Sequence, residues 1–549
     1  MEFFKFVSRE SSKTLRVIVL MSCVAGISNS ALVALINAGA AAANNSNTAA
    51  RDFLMFLVAL GLLAFTSVNA ATRGRVLMES AVGKLRIRIF DKIRRSELMT
   101  IETLRQNEVI VKLSRNVGQV LNSTDILVAA SQTSLMMLVC SLYLAWISLA
   151  AFAVVMTGVA ALGFVRYRRD KSQRNRFEGL SNQEARQATF ITHLMEGFKE
   201  TKTNDARSQA LFDAYIRTIE ETRELGLQAG RRNIISGFYL QIGVYLILLF
   251  TVFIMPRYFP TFGLQVMEIT AVVLFLVGTF LAMVQTIPVF AQTNAALLDI
   301  EALEHQLDLG IEPTPPPNPS LQAEFNAFRA IEFRNLTFSY PYQAEESGFS
   351  IGPVDLSIPR GTLLFITGGN GSGKSTFLKL LTGLYRADSG LLAMDGKNIA
   401  GDNLYYYRNL FSVIFNDFHL FDRLYGCEAV DAGKVNSLIR LMKLEEKVEF
   451  KDGRFSTLNL STGQRKRLAL IAALIEDKPI CVFDEWAADQ DHHFRKFFYE
   501  VILTDLKQAG KTVIAVTHDD SFWKVADRVV KFEYGRLSAS AAGGQPLAG

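Results

Sequence analysis

The first part of the chain alternates long apolar stretches with long polar ones. Apolar stretches without a charged residue cover residues 17–36, 53–72, 126–165, 233–256 and 269–298. A helix needs about 20 apolar residues to cross the hydrocarbon core of a bilayer. The stretch 126–165 is long enough for two helices, which we expect to meet in a tight turn near 146–151. The pattern predicts six membrane spans, at 17–36, 53–72, 126–146, 148–165, 233–256 and 269–291.

Two polar segments between the spans, 73–125 and 166–232, are long and contain no proline. Helix-forming residues dominate both of them. We therefore predict helices that leave the bilayer, turn and return, with short crosswise tips near Thr100–Arg105 and Thr201–Arg207. The alternative is a pair of independent soluble inserts.

The distribution of basic residues predicts the orientation of the spans. Lys and Arg are concentrated before the first span, after the second and after the fourth, and the opposite loops contain very few. The positive-inside rule then places both termini in the cytoplasm and the loop 37–52 outside. The first span could also be a signal peptide, but it is longer than the usual apolar core of one. Basic residues beside apolar stretches indicate membrane orientation and not a nucleic-acid surface.

Overall composition agrees with a membrane protein. Mean hydropathy is +0.20, and charged residues make up 20% of the 549-residue chain, against about 25% in soluble domains. Five of the 13 prolines fall within 311–320 and predict an extended linker. Short apolar strands then alternate with helical segments, a pattern typical of an α/β domain. We divide the chain into an all-α membrane domain (1–310), a proline-rich linker (311–327) and an α/β domain (328–549).

A phosphate-binding loop is the most specific motif in the chain. The strand 363–366 leads into Gly368–Ser375, which fits GxxxxGK[ST], and a helix follows. Backbone N–H groups of such a loop surround phosphate oxygens, while the lysine reaches the β- and γ-phosphates and the serine holds Mg²⁺. The predicted phosphate contacts are Gly368, Gly369, Asn370, Gly371, Ser372, Gly373, Lys374, Ser375 and Thr376.

A second apolar strand, 479–483, ends in Asp484 and Glu485. An aspartate in that position can hold Mg²⁺, and the glutamate can orient or deprotonate an attacking water. About twenty residues earlier, the pattern predicts a second phosphate-binding helix start at Leu460, Ser461, Thr462, Gly463 and Gln464.

These three motifs, in this order and after six spans, resemble the ABC-transporter half-exporters of the type IV fold. The resemblance implies that Glu485 is the general base, that His518 contacts the γ-phosphate and that Tyr340 stacks on adenine. It also implies a homodimer that hydrolyses ATP with Mg²⁺ at two composite sites. In each site, residues 460–464 of one copy would cover the phosphate loop of the other, and Asp491 would end the neighbouring D-loop.

The sequence departs from the common motifs of this family at three places, and these departures indicate one branch of it. Asn416 stands where the family has a glutamine that contacts the metal, so Asn416 is a weaker candidate ligand for Mg²⁺. Thr462 replaces a glycine, and residues 486–491 read WAADQD. Together with FNDFHLF at 415–421, these features resemble the exporters of cyclic peptides and siderophores in Gram-negative bacteria.

The resemblance implies export of a peptide-like siderophore precursor of the pyoverdine type across the cell inner membrane. Membrane lipid is an expected partner, and periplasmic or outer-membrane export components are further candidates. A lipid or lipopolysaccharide flippase, or an exporter of another cyclic peptide, remains the alternative. Four polar residues inside predicted spans are candidates for the substrate path: Asn69, Gln132, Gln241 and Gln285. Hydrogen bonding between helices is the competing explanation for each of them.

Overall fold

The structure is a computed structural model. It describes residues 2–41, 46–104, 106–171, 174–258, 266–340, 348–427 and 429–542. Arg105, the last residue of the first predicted tip, and part of the loop 37–52 lie outside these ranges. The chain divides into two compact units. One contains residues 1–90 and 106–305, and the other contains residues 91–105 and 306–549.

Long helices dominate the first half of the chain. In chain order they are α1 (Glu2–Ala41), α2 (Ser46–Arg95), α3 (Leu98–Thr103), α4 (Gln106–Ile147), α5 (Leu149–Lys171), α6 (Arg174–Glu196), α7 (Phe198–Lys202), α8 (Asp205–Leu249), α9 (Met255–Tyr258) and α10 (Val266–Asp308). A π-helical turn, Phe250–Ile254, joins α8 to α9. Helix α7 overlaps the start of the second predicted tip, at 201–202. Helix α3 overlaps most of the first, at 100–103.

Six helices among the described residues are long and apolar enough to cross a membrane, as judged by length and composition alone. The candidate spans are Thr14–Gly39, Ala50–Arg95, Leu113–Ile147, Leu149–Arg166, Ile234–Tyr258 and Val266–Asp308. Each candidate span contains one of the predicted spans, except that the fourth and the fifth begin one residue later than predicted. The predicted tight turn is a break at Ser148 between α4 and α5.

The first unit has its own apolar core. It joins α1, α4, α5, α8 and α10 through residues such as Val33, Leu144, Val155, Val244 and Leu276. Close to the end of the unit, Arg88 Nε lies 2.6 Å from Glu304 Oε1 and links α2 to α10. Long helices and aliphatic contacts therefore build this unit without any strand in the residues described.

The second unit follows the α/β pattern. Its helices are α11 (Pro319–Asn326), α12 (Lys374–Leu381), α13 (Asn403–Arg408), α14 (Ala432–Leu441), α15 (Thr462–Glu476), α16 (His492–Phe497) and α17 (Leu503–Gln508). Its strands are β1 (Ala330–Ser339), β2 (Ser350–Pro359), β3 (Leu363–Gly368), β4 (Ser389–Met394), β5 (Lys397–Asn398), β6 (Phe411–Ile414), β7 (Phe450–Lys451), β8 (Arg454–Phe455), β9 (Ile480–Asp484), β10 (Thr512–Val516), β11 (Arg528–Glu533) and β12 (Arg536–Ala542).

The extended spacer predicted over 311–320 differs from the structure only in its last two residues. Helix α11 begins at Pro319, and the Asn318 side chain accepts a hydrogen bond from the N–H of Leu321. Proline suits the first helical position because its missing N–H has no partner there in any case. The predicted domain boundaries themselves stay a prediction.

A six-stranded sheet carries the nucleotide motifs, in the order β12-β11-β3-β10-β9-β6. All of its pairings are parallel except that between β11 and β12. Every residue of β3, β9 and β10 is buried, as expected of parallel strands covered on both faces. A second sheet has the order β2-β1-β4-β5.

Candidate functional site

Three central parallel strands bring the predicted nucleotide residues to one edge of the sheet. Strand β10 lies between β3 and β9, with Val516 opposite Ile366 on one side and Asp484 on the other. Ligand sites in such sheets form beyond the carboxyl ends of the strands. The phosphate loop after β3, Glu485 after β9 and His518 after β10 therefore meet at this edge.

The phosphate loop depends on glycine at two positions. Gly368 has φ +149° and Gly373 has φ +103°, and a Cβ on Gly368 would lie 2.3 Å from the carbonyl oxygen of Phe532. Only glycine accepts this close approach without displacing the backbone. The loop holds Lys374, whose Nζ donates to the carbonyl oxygens of Gly368 and Gly369 at 3.0 Å each. Its buried ammonium is thus directed into the loop that would surround the phosphates.

The Glu485 carboxylate lies between two of the predicted partners. Its Oε1 is 3.0 Å from His518 Nε2 and 3.7 Å from Lys374 Nζ. Glu485 also has φ +48°, a left-handed conformation that costs a non-glycine residue about 1–3 kcal/mol. A carboxylate, an imidazole and an ammonium within this distance can orient a water and receive its proton beside a phosphate.

The buried carboxyl of Asp484 meets the chemical requirements of a magnesium ligand. Ser375 and the backbone of Asn416 donate hydrogen bonds to this carboxyl. Its Oδ1 is buried and has no hydrogen-bond partner among the described residues. Burial raises the pKa of Asp484, as does the Glu485 charge, while the two hydrogen bonds and Lys374 lower it. An oxygen without a partner beside a serine hydroxyl fits a hard cation such as Mg²⁺. The Asn416 side chain is exposed, and its part in metal binding stays a prediction.

The motif 460–464 forms the exposed start of α15. Ser461 Oγ accepts from the N–H of Gln464, and Gln464 Oε1 accepts from the N–H of Ser461. This capping box fixes the first turn of the helix. Ser461 and Thr462 are exposed, so the N-terminal end of the helix can meet an anion presented by another molecule.

Arg467 ties this helix to the loop that follows Glu485. Its Nε donates to Gln490 Oε1 at 2.8 Å, and its Nη2 lies 2.8 Å from Asp491 Oδ2. Gln490 in turn donates to the carbonyl of Gly463 at 3.0 Å. The Asp491 side chain also caps α16 by accepting from the N–H of Phe494. The two predicted contact motifs, 460–464 and the loop ending at Asp491, therefore form one hydrogen-bonded unit.

Lys466 is not among the predicted site residues, yet it supports the candidate base directly. Its side chain is 2% exposed, and its Nζ donates to the backbone carbonyl of Glu485 at 2.8 Å. The same ammonium lies 2.7 Å from Asp489 Oδ2. One signal in the sequence could have found it. Lys466, Leu470 and Ala473 follow the i, i+4, i+7 spacing of a buried helix face.

Tyr340 belongs to an aromatic cluster that reaches helix α3. Its ring meets the rings of Phe338 and Tyr385 edge to face, and its hydroxyl is 3.1 Å from Thr376 Oγ1. The Tyr385 hydroxyl donates a short hydrogen bond to Glu102 of α3. Lys379 Nζ lies 2.8 Å from the same carboxylate. These contacts connect the residue proposed to stack on adenine with the first polar tip.

The four predicted substrate-path residues do not share one site. Gln241 and Gln285 line the same cavity in the first unit. Asn69 donates to the carbonyl of Phe65 in its own helix at 2.7 Å. Gln132 lies on α4, close to Gly26 of α1, and is not among the described residues that line the cavity.

Comparison with known proteins agrees with this geometry. The ABC transporter family matches residues 351–488. The ATP-binding protein SyrD of Pseudomonas syringae pv. syringae is 30% identical, with 94% of this chain and 92% of the relative covered. The ATP-dependent lipid A-core flippase of Paraburkholderia xenovorans is 24% identical, with 92% of this chain and 86% of the relative covered.

A solved structure shows the same fold. It is a bacterial Atm1-family ABC exporter with ATP bound, and it superposes with a TM-score of 0.77 at 16% identity over 97% of this chain and 96% of that one. The chain therefore belongs to the ABC transporter family, as a multi-pass membrane protein with the exporter fold and a cytoplasmic ATPase domain that powers transport.

Proposed function

We propose that the protein is a homodimeric exporter that moves an acylated, peptide-like siderophore precursor of the pyoverdine type across the inner membrane. The cluster of Lys374, Glu485 and His518 beside the phosphate loop carries the proposal that ATP hydrolysis drives this movement. The peptide-like cargo is supported by FNDFHLF at 415–421, by Thr462 and by WAADQD at 486–491.

Each residue at the sheet edge has a separate task in this proposal. The phosphate-loop N–H groups and Lys374 bind the phosphates, and Tyr340 supports the adenine. Glu485 positions the attacking water and accepts its proton, and His518 holds the Glu485 carboxylate through their 3.0 Å contact. Ser375 and Asp484 would hold Mg²⁺, which neutralises charge that develops on the phosphates.

The exposed start of α15 supports the proposal that two copies form each nucleotide site. Ser461 and Thr462 at this start are exposed and therefore accessible to a second molecule. In the proposed dimer, Ser461 and Gly463 of each copy approach the γ-phosphate held by the other. Closure on ATP and reopening after hydrolysis then shift the membrane helices between inward-open and outward-open states.

Substrate-stimulated ATPase activity tests the proposed cargo. The full-length protein in lipid nanodiscs is titrated with an acylated peptide precursor and, in parallel, with lipid A. We expect the peptide to raise the rate and lipid A to leave it unchanged. Stimulation by lipid A alone would refute the peptide cargo, and Glu485→Gln provides the background rate without catalysis.

A lipid flippase is the second candidate function. The similarity to a lipid A-core flippase over most of both chains favours it. That relative is less similar than SyrD, and the titration above distinguishes the two cargoes.

A further inference from the structure

A cavity of about 510 Å³ lies among α5, α8 and α10 of the first unit. Its size falls within the range of small-molecule sites, about 300–1,000 Å³. Its polar lining residues are Arg166, Gln241 and Gln285. Its apolar lining includes Phe238, Leu281 and Val284. A charged group together with apolar side chains in one cavity provides the contacts that an amphiphile requires.

Arg166 is the unusual residue of this cavity. It is 7% exposed at the end of the candidate span Leu149–Arg166, and ionisable residues inside such spans usually mark functional sites. Its Nη1 donates to Ser236 Oγ of α8 at 2.8 Å. That bond fixes the guanidinium beside the cavity. The planar fork of an arginine matches a carboxylate or a phosphate in two parallel hydrogen bonds.

The neighbouring arginine shows how an ordinary interfacial residue behaves here. Arg168 is exposed, and its guanidinium lies 5.0 Å from the ring centre of Phe164 in the preceding turn. It can reach polar headgroups, as basic residues at the ends of spans usually do. Arg166 instead contacts a serine on another helix, which an anchoring role alone would not require.

The remaining lining adds groups that suit a peptide. Gln241 and Gln285 are exposed on two different helices, and each amide can both donate and accept. Pro288 also lines the cavity. Proline has no N–H, so the carbonyl of Val284 lacks its usual donor four residues later. A peptide N–H could use that acceptor.

We infer that this cavity binds the anionic group of an acylated substrate, with Arg166 pairing with the anion and the acyl chain lying against Phe238, Leu281 and Val284. The inference rests on the proposed export function and specifies its substrate as an anionic amphiphile. A terminal carboxylate of a peptide supplies the required chemistry, and so does the phosphate of a lipid. The peptide-like cargo proposed above favours the carboxylate.

Direct binding to the full-length protein tests the inference. The protein is placed in phosphatidylcholine nanodiscs, which carry no net charge. The probes are a fluorescent N-dodecanoyl tripeptide with a free carboxylate, the same peptide as its C-terminal amide, and dodecyl phosphate as a competitor. We expect the wild type to bind the acid about tenfold more tightly than the amide, as one charge-assisted pair implies.

Variants at three positions identify the group responsible. Arg166→Gln should bring the acid-to-amide ratio to about one, and Arg166→Lys should retain part of the preference because it keeps the charge without the fork. Arg168→Gln, two residues away and outside the cavity, should leave the ratio unchanged. If Arg166→Gln does not fold, Ser236→Ala removes the bond that fixes the guanidinium and should lower the ratio.

The outcomes separate the site from the cargo. Equal binding of acid and amide by the wild type, or a preference that survives in Arg166→Gln, overturns the inference. Binding of dodecyl phosphate that depends on Arg166, without binding of the peptide acid, supports an anion site and refutes the peptide cargo. If the wild type binds the peptide acid through Arg166 but the peptide does not stimulate its ATPase activity, the proposed function is refuted and the binding site stands.

Discussion

Lys466→Met removes the ammonium that holds the backbone of the candidate base. Methionine is unbranched and only one heavy atom shorter than lysine, so the packing of the buried side chain changes little. The bond from Nζ to the Glu485 carbonyl is 2.8 Å long and charge-assisted, and such bonds contribute about 1.5–3 kcal/mol. This is comparable with the cost of about 1–3 kcal/mol for the left-handed backbone of Glu485. Without the bond, Glu485 should leave the position in which it meets His518.

We expect the ATPase kcat of Lys466→Met to fall about 10- to 100-fold, since each 1.36 kcal/mol of barrier is a factor of ten. The KM for ATP should change little, because the phosphate loop does not contact Lys466 in the bonds described above. The loss of the Asp489 contact should cost little stability, because that carboxylate is 44% exposed and regains water. The assay is steady-state ATP hydrolysis by the full-length protein in nanodiscs, with a thermal unfolding curve for each variant.

Lys511→Met is the matched control. Lys511 Nζ also bonds one carboxylate and one backbone carbonyl, Asp477 Oδ1 and Lys478 O, both at 2.7 Å. Those partners precede β9, at the end of the strand opposite Glu485. The control should lose similar stability and retain its kcat. A kcat for Lys466→Met within twofold of the wild type, or an equal loss in both variants, would refute the positioning role.

Three further predictions follow from the same site. Glu485→Gln should bind ATP normally and lose about 100- to 10,000-fold in turnover, as expected for a general base; unchanged hydrolysis would exclude that role. Tyr385→Phe removes a charge-assisted bond to Glu102, so hydrogen exchange in α3 should accelerate about 10- to 100-fold; unaltered exchange would contradict the link. Burial raises the pKa of Asp484 above its value in the unfolded chain, so acidification through that range stabilises the metal-free fold and weakens Mg²⁺ binding. Titration of Mg²⁺ with a bound ATP analogue at several pH values checks this, and Asp484→Asn should remove the dependence.

The nucleotide motifs are predictable because each is local in sequence. The run from β3 through Gly368 to α12 needs only a strand, a glycine loop and a helix in succession, and the structure has them in that order. Asp484 and Glu485 end a buried strand, and parallel pairing brings them to the phosphate loop. The membrane spans are equally predictable from the sequence, since each apolar stretch has the length that a bilayer requires.

Residues whose surroundings come from distant parts of the chain are harder to predict. In the sequence, Arg166 is one of several basic residues that follow the fourth predicted span. Only folding brings Ser236, 70 positions away, to its guanidinium. Lys466 reads as part of a basic run between two arginines, although the helical period buries it. Gln241 and Gln285 line one cavity, whereas the Asn69 side chain donates to a carbonyl of its own helix. The spacing of these residues along the chain does not show which of them faces a cavity.

The bonds from Arg467 to Gln490 and Asp491 bear on how a mutant copy affects a normal copy in the same dimer. In the proposed dimer, the start of α15 serves the partner's nucleotide, while the loop it is bonded to follows the copy's own Glu485. A lesion at Arg467 should therefore impair the chemistry of both subunits, including that of an intact companion. Cells that make damaged and normal copies together should lose more activity than simple dilution accounts for, which is the genetic signature of a dominant-negative allele.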